Sequence, residues 1–479
     1  MKNYPLRYFA RVTIEFITPF HIGSGREGAV ADAAVVSDAN GLPAIPGSSL
    51  AGALRAAASD AGLETNSLFG FQKMGVSDSD SAAEKGQGSR LTVSWAALHD
   101  SHNQPVVGLA EQSRLDDPVL AAARALPLRD HVRISHRGVA DDRGKFDELC
   151  AQTGHRFTFE LELSGNDQDR ASWAGLLQII GAAEIRLGGK TRRGFGAFKT
   201  ITIQQRCFDL KKAGDFHAYS NLGFLAGDIP GAGEIKEAGA PPKAATCTLT
   251  LKPRGYWMFG GGVDDEFGAD MAPVREEIIL WENGKGRKAE DLVLIPASSI
   301  KGALSHRVAF HYNRIKERFA DGQDAEKIQP WAGEDNPAVK MLFGCCKDAD
   351  DGKKGKGQRG RVIINDVHLS RSPKELPQQI VHHVAIDRYT GGAYPGALFQ
   401  ERPFWQGPSL VMKVMIVETD RIADSDCKKS LQCALADLAG GRLALGAGAG
   451  RGLGFFEGRC EWNEIGQKWL GAAALAAQP

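Results

Sequence analysis

The chain contains one distinctive segment twice, and this duplication limits the possible folds more than any other feature. The sequence IPGSSLAGALR at residues 45–55 returns as IPASSIKGALSHR at residues 295–307, with Ile-Pro, the serine pair and Gly-Ala-Leu in register. A short LFG and a strand-like stretch follow each copy in the same order, at residues 68–70 and 89–98, then at 342–344 and 360–369. This ordered repeat indicates two copies of one domain in a single chain.

Each half then closes with a glycine-rich loop followed by strand-like residues. The loops read RLGGKTRRGFGAF at residues 186–198 and RLALGAGAGRGLGFF at residues 442–456. Because glycine has no Cβ, it lets the main chain approach a ligand closely, so we predict that both loops are functional. A tight turn between two strands is the alternative, and it gains weight in the second loop, where Arg451 is almost the only cation.

The repeat divides the chain into residues 1–210, a linker at 211–245, and residues 246–479. The linker assignment depends on GDIPGAGEIKEAGAPPKA, a Gly-, Pro- and Ala-rich stretch with little periodicity. Within each half, an alternating strand leads through turns to an Ile-Pro pair and then to residues with helical apolar spacing. We therefore predict an α+β fold for both halves.

Composition indicates a globular protein without an obvious nucleic-acid charge signature. Hydrophobic residues make up 43% and charged residues 24% of the chain, and no window approaches eighteen uninterrupted apolar residues. We expect a cytoplasmic protein with no membrane partner. Lys plus Arg and Asp plus Glu each total 58, so the net charge is zero and any grip on nucleic acid must be local.

Together, the I-P-[GA]-S-S-[LI]-x-G-A-L helix start and the closing glycine loop resemble the two hallmark motifs of the RAMP superfamily. More narrowly, they are similar to the Csm/Cmr-type backbone subunits of type III CRISPR effector complexes. The resemblance covers both halves. It implies two tandem RAMP domains with ferredoxin-like (RRM-like) cores, whose partners are guide RNA (crRNA), target RNA and other CRISPR effector subunits.

The resemblance places the glycine loops and the helix starts against the guide backbone. Main-chain amides, helped by cations, would grip phosphates without reading sequence. In the first copy the expected RNA-binding residues are Ser48, Ser49, Arg55, Gly188, Gly189, Lys190, Arg192, Arg193 and Gly194. In the second copy they are Ser298, Ser299, Lys301, Gly446, Gly448, Gly450, Arg451 and Gly452.

Cleaving members of the family carry one aspartate a short way upstream of the Ile-Pro helix, and Asp32 has the matching position. This similarity implies a catalytic Asp32 that holds a divalent metal, magnesium or manganese, against the target RNA. A solvated loop aspartate is the alternative, since Asp is common in turns. Asp270 is the counterpart in the second half, one residue out of the family register.

The family also carries a thumb-like hairpin that wedges into the guide–target duplex. VAIDRYTGGAYPGALFQE, from residue 384, is similar to that region, and Arg388 and Tyr389 are its expected RNA contacts. VRISHRGVADDRGKFDE, from residue 132, is the first-half counterpart, with Arg133, His136 and Arg137 as expected contacts.

Three other functions stay open on sequence grounds. A structural subunit would bind guide RNA without cutting it. A metal-independent guide-processing endoribonuclease would need a catalytic histidine, but His99, His102 and the His382–His383 pair lack a recognisable catalytic or metal-ligand spacing. A scaffold that binds no RNA is the third possibility.

Overall fold

The computed structural model describes residues 4–25, 34–73, 86–135, 138–183, 185–236, 244–264, 268–319, 323–324, 328–345, 357–369 and 376–471. Within these ranges, mainly antiparallel sheets and helices form both halves of the chain, so the expected mixture of helices and strands is confirmed.

The first half contains ten strands and six α-helices within the described residues. Its strands are β1 Leu6–Phe16, β2 Phe71–Gln72, β3 Gly86–Gln87, β4 Leu91–Val93, β5 Ala97–Leu98, β6 Leu128–Ile134, β7 Ala140–Leu149, β8 Arg156–Gly165, β9 Phe198–Asp209 and β10 Gly233–Lys236. Its helices are α1 Gly47–Asp60, α2 Thr65–Phe69, α3 Gln112–Leu115, α4 Pro118–Arg124, α5 Arg170–Ala182 and α6 Ala213–Ser220.

The main sheet of the first half has the order β10-β9-β1-β8-β4, with β5 also paired to β8. Every pair in this sheet is antiparallel. Alternate residues of β1, such as Val12 and Ile14, are fully buried in a core that also contains Leu50 and Leu54 of α1 and Leu176 of α5. The period-2 pattern of the strands and the helical spacing of the apolar residues therefore meet on one face of the sheet.

The segment assigned to a linker instead belongs to the first half as far as residue 236. It contains helix α6 and strand β10, which extends the sheet by pairing with β9. Ile229 packs with Phe9 and Phe208 in a small separate core on the other face of the sheet. The sequence did not predict this because a four-residue edge strand is too short to produce a periodic pattern.

The second half contains fifteen strands and five α-helices within the described residues. Its strands are β11 Ala245–Pro253, β12 Tyr256–Trp257, β13 Gly260–Asp264, β14 Ala269–Pro273, β15 Arg275–Glu282, β16 Lys285–Ile295, β17 Gly344–Cys345, β18 Gln358–Arg359, β19 Val362–Ile364, β20 Val367–Leu369, β21 Val381–Ile386, β22 Ala393–Glu401, β23 Phe404–Trp405, β24 Leu410–Ile416 and β25 Phe456–Trp462. Its helices are α7 Ala297–Ile315, α8 Gln329–Ala332, α9 Pro337–Phe343, α10 Ser425–Ala439 and α11 Glu464–Leu470.

The main sheet of the second half repeats the arrangement of the first. Its order is β19-β24-β11-β25, again with antiparallel pairs throughout. Leu304 of α7 and Leu435 of α10 are fully buried with Leu249 and Leu251 of β11. In both halves, a helix that begins after an Ile-Pro pair and a second long helix pack on the same sheet face.

A hairpin outside the main sheet occupies the corresponding place in each half. Strands β6 and β7 form the first hairpin, and β21 and β22 form the second. Both hairpins expose apolar side chains, with Val132 and Ile134 in the first and Val384 and Ile386 in the second. The first hairpin has only two strands and would be marginally stable by itself, so contacts at its base must hold it in place, whereas β22 of the second hairpin also pairs with β14.

The two halves contact each other where β15 of the second half lies beside residues 153–156 of the first. The amide of Ile279 in β15 donates to the carbonyl of Thr153 over 2.9 Å. Trp281 Nε1 donates to the carbonyl of Gly154 over 2.7 Å. The Arg156 guanidinium lies 4.1 Å from the centre of the Trp281 ring. Strand β15 of the second half therefore packs against the turn that precedes β8 of the first half.

Candidate nucleic-acid interface

The two glycine loops have the same main-chain path. In the first, the amide of Leu187 donates to the carbonyl of Gly196 and the amide of Gly189 donates to the carbonyl of His21, before a 3-10 turn at residues 191–193. In the second, Leu445 pairs with Gly454 and Ala447 with the carbonyl of Met258 in the same way, before a 3-10 turn at residues 449–451. Matching these bonds aligns Gly188 with Gly446, Arg193 with Arg451 and Gly194 with Gly452.

Most predicted loop residues lie at the surface. Gly188, Gly189, Arg193, Gly446, Gly450, Arg451 and Gly452 are exposed, and Lys190, Arg192 and Gly448 are half-buried. Gly194 is buried against β19 of the second half, so closely that a Cβ at this position would clash with the carbonyl of Ile364. The first loop therefore presents one edge to solvent and the other edge to the second half.

Two cations of the first loop, Lys190 and Arg193, lie over the base of the first hairpin, while the third, Arg192, donates to Glu418 of the second half over 3.3 Å. Glu148 is fully buried and accepts from His131 Nε2 over 3.1 Å, while the ammonium of Lys190 also contacts its carboxylate. The His131 and Phe146 rings stack with their centres 5.0 Å apart, and the Arg193 guanidinium lies 4.9 Å from the centre of the Phe146 ring. We call His131, Phe146, Glu148, Lys190 and Arg193 the first hairpin cluster.

The electrostatics of this cluster follow from its burial. Loss of water alone would raise the pKa of Glu148, but the hydrogen bond from His131 and the Lys190 charge outweigh burial and lower that pKa to about 2. Glu148 is therefore ionised at neutral pH and attracts the cations of the glycine loop toward the hairpin.

The second half builds the same cluster. Glu401 is fully buried and accepts from His383 Nε2 over 2.7 Å and from the Arg451 guanidinium over 2.6 Å. The Phe399 ring stacks on His383 with centres 4.8 Å apart and lies 5.3 Å from the Arg451 guanidinium. These four residues form the second hairpin cluster. Arg451 thus has the same environment as Arg193, although it is nearly alone in its loop.

Sequence reasoning did not identify the glutamates, the phenylalanines or His131 of these clusters. The signal was present, because the first strand of each hairpin contains His-Val, at residues 131 and 383, and the second contains Phe-Asp-Glu or Phe-Gln-Glu, ending at residues 148 and 401. Its meaning depends on strand pairing, which places His131 opposite Phe146 and His383 opposite Phe399. His383, considered above only as a possible catalytic histidine, has the buried Glu401 as its partner.

The helix starts differ between the halves. At the start of α1, Ser48 is exposed, and a shallow groove of about 300 Å³ is lined by residues that include Gly47, Ser48 and Arg55. The Arg55 guanidinium donates to Asn66 Oδ1 over 3.1 Å, and Ser49 is half-buried. This start is accessible to a ligand or to another protein segment.

At the start of α7, Ser298 is half-buried and Ser299 is exposed, but the amide of Ala297 donates to a carboxylate oxygen of Asp366 over 2.7 Å. An anion from the protein therefore already occupies this helix terminus. Lys301, predicted to bind RNA, donates to the carbonyl of Arg192 over 2.6 Å. Burial and the nearby arginine charges lower the pKa of Lys301 to about 8.

Of the predicted catalytic residues, Asp32 lies outside the described residues. Asp270 is exposed in β14 and accepts from the amide of Gln400 over 2.7 Å, so one of its oxygens holds the neighbouring strand. No group of three or more His, Cys, Asp or Glu side chains able to hold a metal ion occurs among the described residues.

The predicted hairpin contacts lie near the hairpin tips. Tyr389 is 97% exposed, and Arg388 beside it is also exposed. Arg133 is exposed and forms ion pairs with Asp141 over 3.2 Å and with Glu334 over 3.0 Å. His136 and Arg137 lie outside the described residues.

A family model described as the RAMP superfamily matches residues 13–199 and 250–457. No curated protein matches the chain. Among the described residues, every helix is too short or too polar to span a membrane.

Proposed function

The chain belongs to the RAMP superfamily, and from this premise we propose that it is a backbone subunit of a type III CRISPR ribonucleoprotein that binds guide RNA. The observation that carries the proposal is the pair of matched glycine loops, each with exposed main chain and an arginine at the same position. Exposed glycines let RNA phosphates approach the main-chain amides. Because the RNA sugar-phosphate backbone is chemically uniform, two loops of the same shape can each bind one stretch of it.

We infer ferredoxin-like cores from the strand order. In each half the core elements follow the chain order βαββαβ, and the fourth strand lies beside the first, the first beside the third, and the third beside the second. The match in both halves supports the inference, with β10 as an addition to the first.

Contacts between the halves support assembly with further subunits. The first glycine loop packs against α7 and β19, where Lys301 and the carbonyl of Ile364 receive it. A Cβ at Gly452, the matching position in the second loop, would meet no atom within 4 Å. The groove at the start of α1 corresponds to the surface at the start of α7 against which the first loop packs, and it has no such loop bound to it among the described residues. We expect a neighbouring RAMP domain to occupy each of these two places.

Guide binding is tested by inserting a negative charge where the fold can accept a side chain. A Cβ at Gly189 would make only ordinary contacts, and a Cβ at Gly450 would meet no atom within 4 Å. Gly189→Glu and Gly450→Glu should each weaken binding of a labelled single-stranded RNA roughly fivefold or more through like-charge repulsion, measured by gel shift across a salt series.

Gly214→Glu is the matched control, because Gly214 lies in α6 with open space around it. Gly189→Ala and Gly450→Ala test for steric effects. Equal RNA binding by wild type and both Glu variants would contradict the placement of RNA on the loops.

Target cleavage is the second part of the proposal. Asp32 would hold magnesium or manganese, whose remaining ligands would be water and RNA phosphate oxygens, as is common for a hard cation with few protein ligands. The metal would stabilise negative charge at the phosphate that is cut. Asp270 would be the weaker counterpart, because an amide hydrogen bond already uses one of its oxygens.

Asp32→Ala in an assembled complex should abolish cutting at one set of positions while leaving RNA binding intact, measured on end-labelled target RNA with added metal. The exposed Asp116 supplies the control substitution, Asp116→Ala. Retained cutting at every position would remove Asp32 from the mechanism. Cutting in the presence of EDTA would instead favour a metal-independent nuclease. If the wild-type complex does not cut at all, the chain is a structural subunit.

A further inference from the structure

Each hairpin cluster holds a guanidinium against an aromatic ring in nearly the same geometry. Arg193 lies 4.9 Å from the centre of Phe146, and Arg451 lies 5.3 Å from the centre of Phe399. The Arg193 and Arg451 side chains are 45% and 39% exposed, although they come from loops of different composition. The presence of this arrangement in both halves of the chain indicates a shared role.

The buried carboxylates fix the position of each arginine. Glu401 accepts directly from Arg451 over 2.6 Å, and Glu148 lies 3.8 Å from Arg193. On the other side, each carboxylate accepts from a histidine that stacks on the same phenylalanine. The guanidinium is thereby tied both to the ring and to a carboxylate, so it loses few further conformations when a ligand arrives.

The same carboxylates reduce the charge that these arginines can offer to a phosphate. Glu148 and Glu401 have no exposed surface, so their negative charges are not screened by water and oppose the cations beside them. What each arginine still presents is a flat, weakly hydrated surface, which suits the face of an aromatic base.

We propose that each hairpin cluster is a platform for one nucleobase, which stacks on the guanidinium plane of Arg193 in the first half and of Arg451 in the second. This inference rests on the proposed function and adds two base contacts to a grip otherwise made on the backbone. Because every base has a π face, the platform accepts any sequence.

The test separates stacking from charge. Arg193→Lys, Arg451→Lys and the double variant keep the positive charge but remove the plane. The full-length chain is titrated with a fluorescein-labelled single-stranded RNA and with a strand of equal length that carries consecutive abasic sites. The double variant should bind the base-containing strand about tenfold or more weakly than wild type, and the abasic strand as tightly as wild type does.

The control substitution is Arg318→Lys, since Arg318 lies 4.6 Å from the centre of the Trp331 ring in a cation–π pair outside both clusters. It should change neither affinity. RNA containing 2-aminopurine gives a second readout, because its fluorescence depends on what the base stacks on, and the double variant should abolish the fluorescence change that binding to wild type causes.

Two results would overturn the platform. If the double variant binds both strands more weakly by the same factor, the arginines contact phosphates and not bases. The proposed guide binding would then still stand. Failure of the wild-type chain to bind either strand would overturn the proposed function together with the platform.

Discussion

Gly194 and Gly452 occupy the same position in the two glycine loops but have different surroundings. Both adopt positive φ, +99° and +87°, so alanine at either position costs roughly 1–2 kcal/mol of backbone strain. Only at Gly194 would the new Cβ clash with a main-chain carbonyl, that of Ile364 in the other half. We therefore expect Gly194→Ala to destabilise the protein by about 1–3 kcal/mol more than Gly452→Ala.

Melting temperatures of the two variants, together with hydrogen exchange of the β19 amides, measure this difference. Gly452→Ala is the matched control, because it carries the strain without the clash. Similar melting temperatures and similar β19 exchange in both variants would show that the first loop does not press against the second half.

At this scale the sequence predicted the positions of the loop glycines and cations but not the partners of the cations. Glu148 and Glu401 lie far along the chain from the loops that they contact. A buried carboxylate cannot be distinguished from a surface one by residue type, and only the pairing of β6 with β7 and of β21 with β22 reveals the shared geometry.

At the scale of elements, helix α6 and strand β10 show the limit of a composition argument. The glycines and prolines of residues 211–245 suggested a linker, yet Ile229 within them is 3% exposed and packs on Phe9 and Phe208. The carbonyls of Gly223 and Gly227 also accept from Arg11 in the centre of the sheet. Helices α1 and α7, in contrast, were predictable, because an Ile-Pro pair and helical apolar spacing mark both, whereas no such marker pointed to the other core helices, α5 and α10.

Ile229→Ala should detach this segment from the sheet, since it removes a buried side chain from a small core. Comparable substitutions cost about 2–5 kcal/mol, and the loss should fall on residues 213–236 before the main core. Limited proteolysis followed by mass spectrometry should find faster cleavage there. An exposed side chain on the same segment supplies the control, Phe216→Ala, because Phe216 is 55% exposed. Unchanged cleavage in the Ile229 variant would return these residues to the linker.

At the scale of the whole molecule, a buried ion network joins the halves. Arg129 of the first hairpin contacts Glu276 over 2.6 Å and Asp366 over 2.7 Å, and all three side chains are buried. Burial alone would raise the pKa of Glu276, but the hydrogen bond from His368 and the Arg129 charge outweigh it and lower that pKa to about 2. The carboxylate is thus ionised at neutral pH.

Because the pKa of Glu276 is about 2 in the folded protein and about 4.5 in an unstructured chain, its contribution to stability is full above about pH 4.5. That contribution is lost as the pH falls from there toward 2. Glu276→Gln, which leaves Arg129 underpaired, should lower stability by roughly 3 kcal/mol at pH 7.

The melting temperatures of wild type and Glu276→Gln should therefore converge as the pH is lowered below 4.5. A gap that stays constant across this range would mean that Glu276 is not ionised in the folded protein. Asp437→Asn is a useful comparison, since Asp437 pairs with Arg307 inside the second half and tests acid sensitivity away from the junction.

The junction between the halves has a consequence for how the molecule would measure length along RNA. The first loop is held between Lys301 and β19, so its distance from the second loop is set by folded protein and not by a slack tether. Two separate single-domain subunits could bind RNA at variable distances from each other and in either order. Here both loops belong to one folded polypeptide, so each molecule would contact the RNA at two points whose separation and order are fixed by the fold.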